Sequence, residues 1–189
     1  MAHQQSGTEE LDAWTCKRLS EGKEELLQTP CREQRFTSNR LRGGFDPQKG
    51  RIREMFKLYT DGACHPNPGS MSASYALYHN GELLSSMLDV PIGEGTSNLA
   101  EYLALILGLE VAKVWLSTEL RLNVYVDSEL LVKQLMGEYQ VRNPRLRQVY
   151  GKVSEILEER AWRATWISRD EMNSRFKLAG RIEGRGKQR

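Results

Sequence analysis

The sequence predicts an α/β fold in which helices flank a five-stranded mixed sheet, with elements in the order β-β-β-α-β-α-α-β-α. Three observations predict it. Apolar and polar side chains alternate over residues 56–60, which is typical of a strand. Asn80-Gly81 separates two strand-like stretches, 75–78 and 83–88, and this pair favours the tight turn of a hairpin. After residue 95 helical and strand patterns alternate, which predicts strands joined by helices.

The first predicted helix is long and follows the hairpin. Thr96 or Ser97 can cap its start, because a hydroxyl oxygen there accepts a hydrogen bond from a free backbone N–H. Helical spacing then predicts one shared face for five apolar side chains: Leu99, Leu103, Ile106, Leu107 and Val114.

The remaining elements alternate between strand and helix. A fourth strand is predicted over residues 120–127, and Ser128 is the predicted cap of the helix that follows it. A third helix is predicted over 145–160 and a fifth strand over 162–167. A short last helix is expected to end near Gly180.

The two ends of the chain differ from this middle part in composition. Residues 1–54 are predicted to be an N-terminal extension, with one helix over 9–28 and then a linker or disordered arm. The folded domain is predicted to span residues 55–180, and 181–189 to be a basic disordered tail. Residues 28–55 hold seven Lys and Arg against three Asp and Glu, a surplus that suits either a solvated surface or a polyanion contact.

Composition narrows the compartment and the class of protein. The formal net charge of +2 over 189 residues is too small to identify a partner. The three cysteines have neither a disulfide pattern nor a zinc-ligand spacing, which favours a reducing compartment. We see no secretory signal and no apolar stretch that approaches the length of a membrane span. We therefore expect a soluble, cytoplasmic and monomeric protein.

Three carboxylates occupy predicted strand ends or helix starts. Asp61 is predicted to end the first strand, Glu101 lies in the first turns of the long helix, and Asp127 ends the fourth strand. Each alone suits a cap or a surface charge, but together at the carboxyl ends of strands they predict one site. Converging carboxylates repel each other and need cations, and hard oxygen ligands suit Mg²⁺ or Mn²⁺. Two such ions can hold the attacking water and the leaving oxygen of a phosphodiester.

The segments around these carboxylates resemble the three motifs of the ribonuclease HI family. They are Tyr59-Thr-Asp-Gly-Ala-Cys-His-Pro-Asn-Pro-Gly, Gly95-Thr-Ser-Asn-Leu-Ala-Glu-Tyr-Leu-Ala-Leu and Val126-Asp-Ser-Glu-Leu-Leu-Val-Lys-Gln-Leu. The similarity covers about residues 55–180. It implies an RNase H-like fold, a ribonuclease H activity that cuts the RNA strand of RNA–DNA hybrids, and a site of two Mg²⁺ or Mn²⁺ ions. It also implies that Asp61, Glu101 and Asp127 are the catalytic metal ligands.

The resemblance further implies a set of substrate contacts, several of which read ribose 2′-hydroxyls, the group that distinguishes RNA. They fall on Cys64, Asn67, Ser97, Asn98 and Glu129. The segment after Gly137 continues into the next helix, so the basic protrusion that some members use to grip a duplex is missing. The chain therefore resembles a compact subtype.

The family's fourth carboxylate has no counterpart at its expected position. An ungapped comparison places Phe176 there, whereas an alignment anchored on Asn173 places Lys177 there, and neither side chain can bind a cation. Asp170, Glu171 or Asn173 could substitute if the loop before the last helix folds differently.

This loss leaves two functions open. The three remaining carboxylates favour an active nuclease, while the missing fourth ligand favours a catalytically weak or silent protein that binds hybrids or other nucleic acids. We prefer the nuclease, because a pure binding protein has little reason to hold three mutually repelling carboxylates.

Overall fold

The computed structural model describes residues 55–115, 121–158 and 161–186. The helix predicted over 9–28 and the linker after it lie outside the described residues, and the domain boundaries at 54 and 180 stay predictions. The elements follow the predicted order: β1 Met55–His65, β2 Gly69–His79, β3 Glu82–Gly95, α1 Ser97–Trp115, β4 Arg121–Val126, α2 Glu129–Leu135, α3 Pro144–Glu158, β5 Trp162–Trp166 and α4 Arg169–Gly186.

The five strands form one mixed sheet in the order β3-β2-β1-β4-β5. The first three strands are antiparallel neighbours, whereas β4 runs parallel to β1 and β5 runs parallel to β4. The predicted fold class is therefore confirmed. Because β1 is central, its residues meet both the antiparallel and the parallel part of the sheet.

The predicted hairpin connects β2 and β3. Asn80 and Gly81 have φ angles of 49° and 90°, and they are flanked by the paired residues His79 and Glu82. Positive φ at both central positions is what this turn requires. Both strands are longer than the sequence predicted. The small residues near Gly69 gave no alternating signal, although Met71 in that stretch is buried in the core.

Helix α1 is buried on nearly all sides rather than along one face. Its buried residues run continuously from Leu99 to Leu109, since one side packs on β1 and β2 and another packs against α3. The sequence prediction was wrong for Val114, whose exposed fraction is 66%. A helix with apolar residues all round is buried between layers, so an amphipathic face is not a good template for it.

The helix starts match the capping residues. Thr96 caps α1, since its Oγ1 accepts from the N–H of Leu99 at 3.4 Å, so of the two candidates Ser97 is the first helical residue. Ser128 caps α2 as predicted, accepting from the N–H of Leu131 at 3.3 Å.

Helix α4 is longer than the sequence predicted. It continues to Gly186, six residues past Gly180, so the first part of the predicted tail is helical. Gly180 lies against β3, where an added Cβ would come within 3.4 Å of Leu88. A glycine costs a helix only about 1 kcal/mol, and packing can offset that cost. None of the helices in the described ranges is both long and apolar enough to cross a membrane.

Candidate metal centre

The carboxylate of Asp61 lies where the parallel part of the sheet ends. The ladder between β1 and β4 stops at the pair Thr60 and Val126, and Asp61 and Asp127 are the residues that directly follow this pair. Parallel strands thus bring both side chains to one edge. The prediction that Asp61 ends β1 was wrong, because β1 continues to His65 through its antiparallel pairing with β2.

Gly62 lets helix α1 approach β1 closely enough to bring Glu101 to this edge. A Cβ at Gly62 would lie only 2.1 Å from the backbone carbon of Ala100 and 2.2 Å from the backbone nitrogen of Glu101. Any side chain there would push the helix away. The glycine directly after Asp61 is therefore part of the architecture of the site.

Asp61, Glu101 and Asp127 converge on one point. Each offers a carboxylate oxygen, and these oxygens all lie within 4.8 Å of one another. The Asp127 side chain is 3% exposed, that of Asp61 is 17% exposed, and Glu101 as a residue is 7% exposed. We refer to these three side chains as the carboxylate cluster. Their convergence is what the sequence motifs predicted.

The carboxylate cluster contains buried oxygens without hydrogen-bond donors. They are Oδ1 of Asp61, Oε2 of Glu101 and both carboxylate oxygens of Asp127. Buried polar atoms are normally satisfied, and an ionised carboxylate without a partner is costly. Carboxylate oxygens that converge, carry negative charge and accept no hydrogen bond suit a hard divalent cation such as Mg²⁺ or Mn²⁺.

The electrostatics of the cluster favour protonation or a cation. Burial raises the pKa of Glu101 to about 8, and the charges of Asp127 and Asp61 add to the increase. Burial likewise raises the pKa of Asp61, with a further contribution from Asp127 and an opposing one from Arg169. Both shifts measure how unfavourable it is to keep these groups ionised side by side.

Arg169 supplies a cation to the cluster that the sequence did not predict. It is the first residue of α4, and its Nη2 lies 2.8 Å from Oδ2 of Asp127 and 3.7 Å from Oδ1 of Asp61. The same Asp127 oxygen still lacks a well-directed hydrogen bond. The short distance and the missing hydrogen bond are compatible if the guanidinium approaches at a poor angle, so the contact is an ion pair.

Phe176, the residue that the ungapped comparison puts at the fourth-ligand position, packs against the core. Phe176 turns toward an apolar cluster in the core that includes Tyr59, Tyr78 and Met172. Of the two outcomes for a phenylalanine at this position, plugging the ion site or joining the core, the structure favours the second. No carboxylate takes over this position from α4 in the described part of the chain.

The proposed substitutes do not join the carboxylate cluster. Asp170 and Asn173 are exposed, and Glu171 pairs with Arg175 at 3.3 Å. Among the described residues, the acidic group that could hold a metal ion consists of Asp61, Glu101 and Asp127. In this conformation Asp170, Glu171 and Asn173 therefore lie outside the carboxylate cluster.

The residues expected to contact the substrate differ in their partners. Oδ1 of Asn67 accepts from the N–H of Ser97 at 3.2 Å, which ties the loop after β1 to the start of α1, and Asn98 beside them is exposed. The thiol of Cys64 lies 3.1 Å from the carbonyl oxygen of Pro66 and 3.3 Å from that of Gly95, so it stabilises the loop.

Glu129 pairs with a lysine of its own helix. Its carboxylate lies 2.6 Å from Nζ of Lys133, one helical turn along α2. The structure thus joins Asn67 and Ser97, whereas Glu129 forms a surface ion pair.

Trp166 is a second neighbour of the cluster that the sequence did not reveal. Its indole N–H donates to the backbone carbonyl of Asp127 at 3.0 Å, although the side chain is 51% exposed. The bond links the ends of β4 and β5 and fixes the backbone that carries Asp127. The sequence did carry a signal for this contact, because Trp166 is the last residue of β5, the parallel neighbour of β4, and its side chain has a polar N–H.

Comparisons with known proteins agree with this fold and site. The model of the family described as reverse transcriptase-like matches residues 59–181. A ribonuclease HI of Halobacterium salinarum is 36% identical over 100 residues, which are 52% of this chain and 49% of that protein. A bifunctional protein of Mycobacterium tuberculosis is 32% identical over 116 residues, 59% of this chain and 31% of that protein. The chain thus spans about half or less of these relatives.

Solved structures give the same result. The crystal structure of an RNase H1 from Halobacterium salinarum has a TM-score of 0.59 at 30% identity, covering 63% of this chain and 89% of that one. LC11-RNase H1, crystallised with an RNA/DNA hybrid, has a TM-score of 0.58 at 33% identity, covering 61% and 87%. The fold and site define an RNase H-like protein. The chain belongs to the reverse transcriptase-like family, within which it is similar to type HI ribonucleases.

Proposed function

We propose that the protein is a divalent-metal-dependent endonuclease that hydrolyses the RNA strand of RNA–DNA hybrids. The observation that carries this proposal is the carboxylate cluster, with its three converging side chains and its buried oxygens that lack donors. The similarity to LC11-RNase H1, which was crystallised with a hybrid, supports the choice of substrate.

Asp61, Glu101 and Asp127 would hold Mg²⁺ or Mn²⁺. Bound ions of this kind activate a water and stabilise charge on the leaving oxygen of a phosphodiester. We propose two ions, the second held weakly because Phe176 provides no oxygen. The raised pKa of Glu101 means that a proton must leave this carboxyl before it can act as a charged ligand near neutral pH.

The choice of RNA would depend on the loop after β1 and the start of α1. The hydrogen bond from Ser97 N–H to Asn67 Oδ1 holds these two segments together beside the cluster. Exposed polar groups at Asn67 and Asn98 are suited to ribose 2′-hydroxyls, which both donate and accept hydrogen bonds. Duplex DNA offers no such group.

A cleavage assay tests the function. The full chain is incubated with an end-labelled RNA–DNA hybrid, with duplex RNA and with duplex DNA, in Mg²⁺, in Mn²⁺ and in EDTA. We expect internal cuts in the RNA of the hybrid, greater activity in Mn²⁺ than in Mg²⁺, and no cutting in EDTA. Activity should fall steeply as salt is raised, because phosphate contacts release counterions. Equal cutting of duplex DNA would contradict the substrate, and cutting in EDTA would contradict the metal dependence.

A silent hybrid-binding protein is the second candidate. Two observations favour it: the position of Phe176 provides no carboxylate, and Arg169 pairs with Asp127 where a metal ligand is expected. Binding of the hybrid without cleavage in either metal, over a range of metal concentrations, would select this candidate.

Substitution of Phe176 tests whether the missing carboxylate limits activity. Phe176→Asp is expected to raise the cleavage rate at low Mg²⁺, because it restores a charged oxygen at the family position. Its melting temperature should fall, because the aromatic ring leaves its cluster. Large core truncations cost about 3 kcal/mol, and this ring is only partly buried.

Phe176→Asn is the matched control for this test. It loses the same ring contacts but gains no charge. The half-saturating Mg²⁺ concentration of both variants separates ligand gain from loosened packing. Equal metal dependence in the two variants would show that position 176 does not reach the metal site.

A further inference from the structure

Arg169 is a charged group at the metal centre for which the proposed reaction has no role. Ser168 fixes the start of α4, since its Oγ accepts from the N–H of Glu171 at 3.3 Å and its carbonyl oxygen accepts from the N–H of Met172 at 3.0 Å. The Arg169 backbone is therefore held at the edge of the cluster. Its side chain is long and 62% exposed, so the guanidinium can leave without disturbing the helix.

The guanidinium contacts the oxygens that a metal ion would use. Its Nη2 lies 2.8 Å from Oδ2 of Asp127, a side chain that is 97% buried, and 3.7 Å from Oδ1 of Asp61. Both oxygens lack a directed hydrogen bond. A poorly directed ion pair at an exposed arginine is weak, typically about 0.2–1 kcal/mol. The arginine therefore neutralises the site without closing it permanently.

Another arginine of the same helix has a different partner. Arg175 pairs with Glu171 and lies over the ring of Tyr59, 5.4 Å from its centroid. In the part of the chain that the structure describes, Arg169 is the basic side chain that pairs with the carboxylate cluster. The contact between Arg169 and the carboxylate cluster therefore depends on the position of Arg169 at the start of α4. The basic character of the helix as a whole does not explain it.

We propose that Arg169 is a displaceable internal cation: it neutralises Asp127 and Asp61 in the metal-free protein and leaves Asp127 when a divalent ion binds. This inference rests on the proposed metal site. The guanidinium and the ion need the same oxygen, so they compete. A competitor that occupies its site in most molecules raises the apparent Kd by the inverse of the open fraction.

The size of this effect follows from the strength of the ion pair. An ion pair worth about 0.2–1 kcal/mol is closed in about three-fifths to five-sixths of molecules, so the apparent Kd of the metal rises about two- to sixfold. Arg169 thus sets the metal concentration at which the site fills. It also limits the repulsion among the three carboxylates before the ion arrives.

Metal binding to the full chain without nucleic acid tests the proposal. Isothermal titration with Mn²⁺ compares the wild type, Arg169→Gln and Arg181→Gln. Arg181 is exposed on the same helix and lies outside the cluster, so its substitution controls for the loss of one positive charge from α4. We expect the Kd to fall about two- to sixfold in Arg169→Gln and to change by less than about twofold in Arg181→Gln.

A second measurement follows the side chain itself. The NMR signal of the Arg169 Nε–H is assigned by its absence in the Arg169→Gln variant. In the wild type, it is expected to shift in proportion to Mg²⁺ occupancy, because the guanidinium moves away from Asp127. An unmoved signal at saturating Mg²⁺ would overturn the displacement.

The outcomes separate this proposal from the function on which it rests. Equal Kd values in all three proteins would overturn the role of Arg169 and leave the metal site intact. A weaker affinity in Arg169→Gln would make the arginine a supporting group and would also overturn the proposal. Absence of metal binding in every protein would overturn both the internal cation and the metal-dependent nuclease.

Discussion

Asp61→Asn is expected to abolish hybrid cleavage and to leave the fold intact. The substitution removes a charge from the carboxylate cluster but almost no volume, so the core contacts remain. Loss of one ligand charge should lower the rate at least about a thousandfold, roughly 4 kcal/mol in activation free energy. Because burial and Asp127 raise the pKa of Asp61, its ionised form costs stability in the metal-free protein. The melting temperature of the variant in EDTA should therefore equal or exceed that of the wild type.

Asp170→Asn and Glu171→Gln are the matched controls for this variant. Both are isosteric, both lie in the first turn of α4, and both are outside the cluster. Each should retain most of the cleavage rate. If either collapses activity while the melting temperature is unchanged, α4 provides the fourth ligand in the substrate complex. If Asp61→Asn still cleaves, the cluster is not the active site.

The parts of the molecule that depend on short segments were predictable from sequence. Asn80 and Gly81 specify their turn through two positive φ angles, and Ser128 specifies a helix start through one hydroxyl. The carboxylates were predictable for the same reason. Asp61 and Asp127 directly follow the last pair of the parallel ladder between β1 and β4. Glu101 lies near the start of α1, which brings its carboxylate to the same edge.

Features set by packing between elements were not predictable. Val114 follows the apolar spacing of α1 but is 66% exposed, so the described residues leave most of it uncovered. No sequence signal placed a basic side chain beside the carboxylate cluster. The contact of Arg169 depends on where α4 begins relative to the end of β4, which only the folded chain determines. Gly62 carried a signal, since a glycine beside a functional carboxylate often permits close backbone approach.

Glu101→Gln is expected to remove most of the pH dependence of stability in the metal-free protein. The pKa of Glu101 is about 8 in the folded state, against an ordinary value of 4.5. Between these values the folded protein holds a proton that the unfolded chain has lost. The stabilising contribution is therefore complete below about pH 4.5 and is lost as pH rises through about 8.

The wild type in EDTA should thus lose a few kcal/mol of unfolding free energy between pH 5 and pH 9, at about 1.4 kcal/mol per pKa unit. Urea denaturation at several pH values measures this loss. In Glu101→Gln a shallower slope should remain, because the pKa of Asp61 is also raised. At pH 9 the variant should be the more stable protein.

Glu110→Gln is the matched control, since Glu110 lies on the same helix and pairs with Lys113 at 3.0 Å. Adding Mg²⁺ should flatten the wild-type slope, because an ion stabilises the charged carboxylate. A wild-type stability that rises with pH in EDTA would mean that the cluster is not under electrostatic strain, and the argument for a cation site would lose its main support.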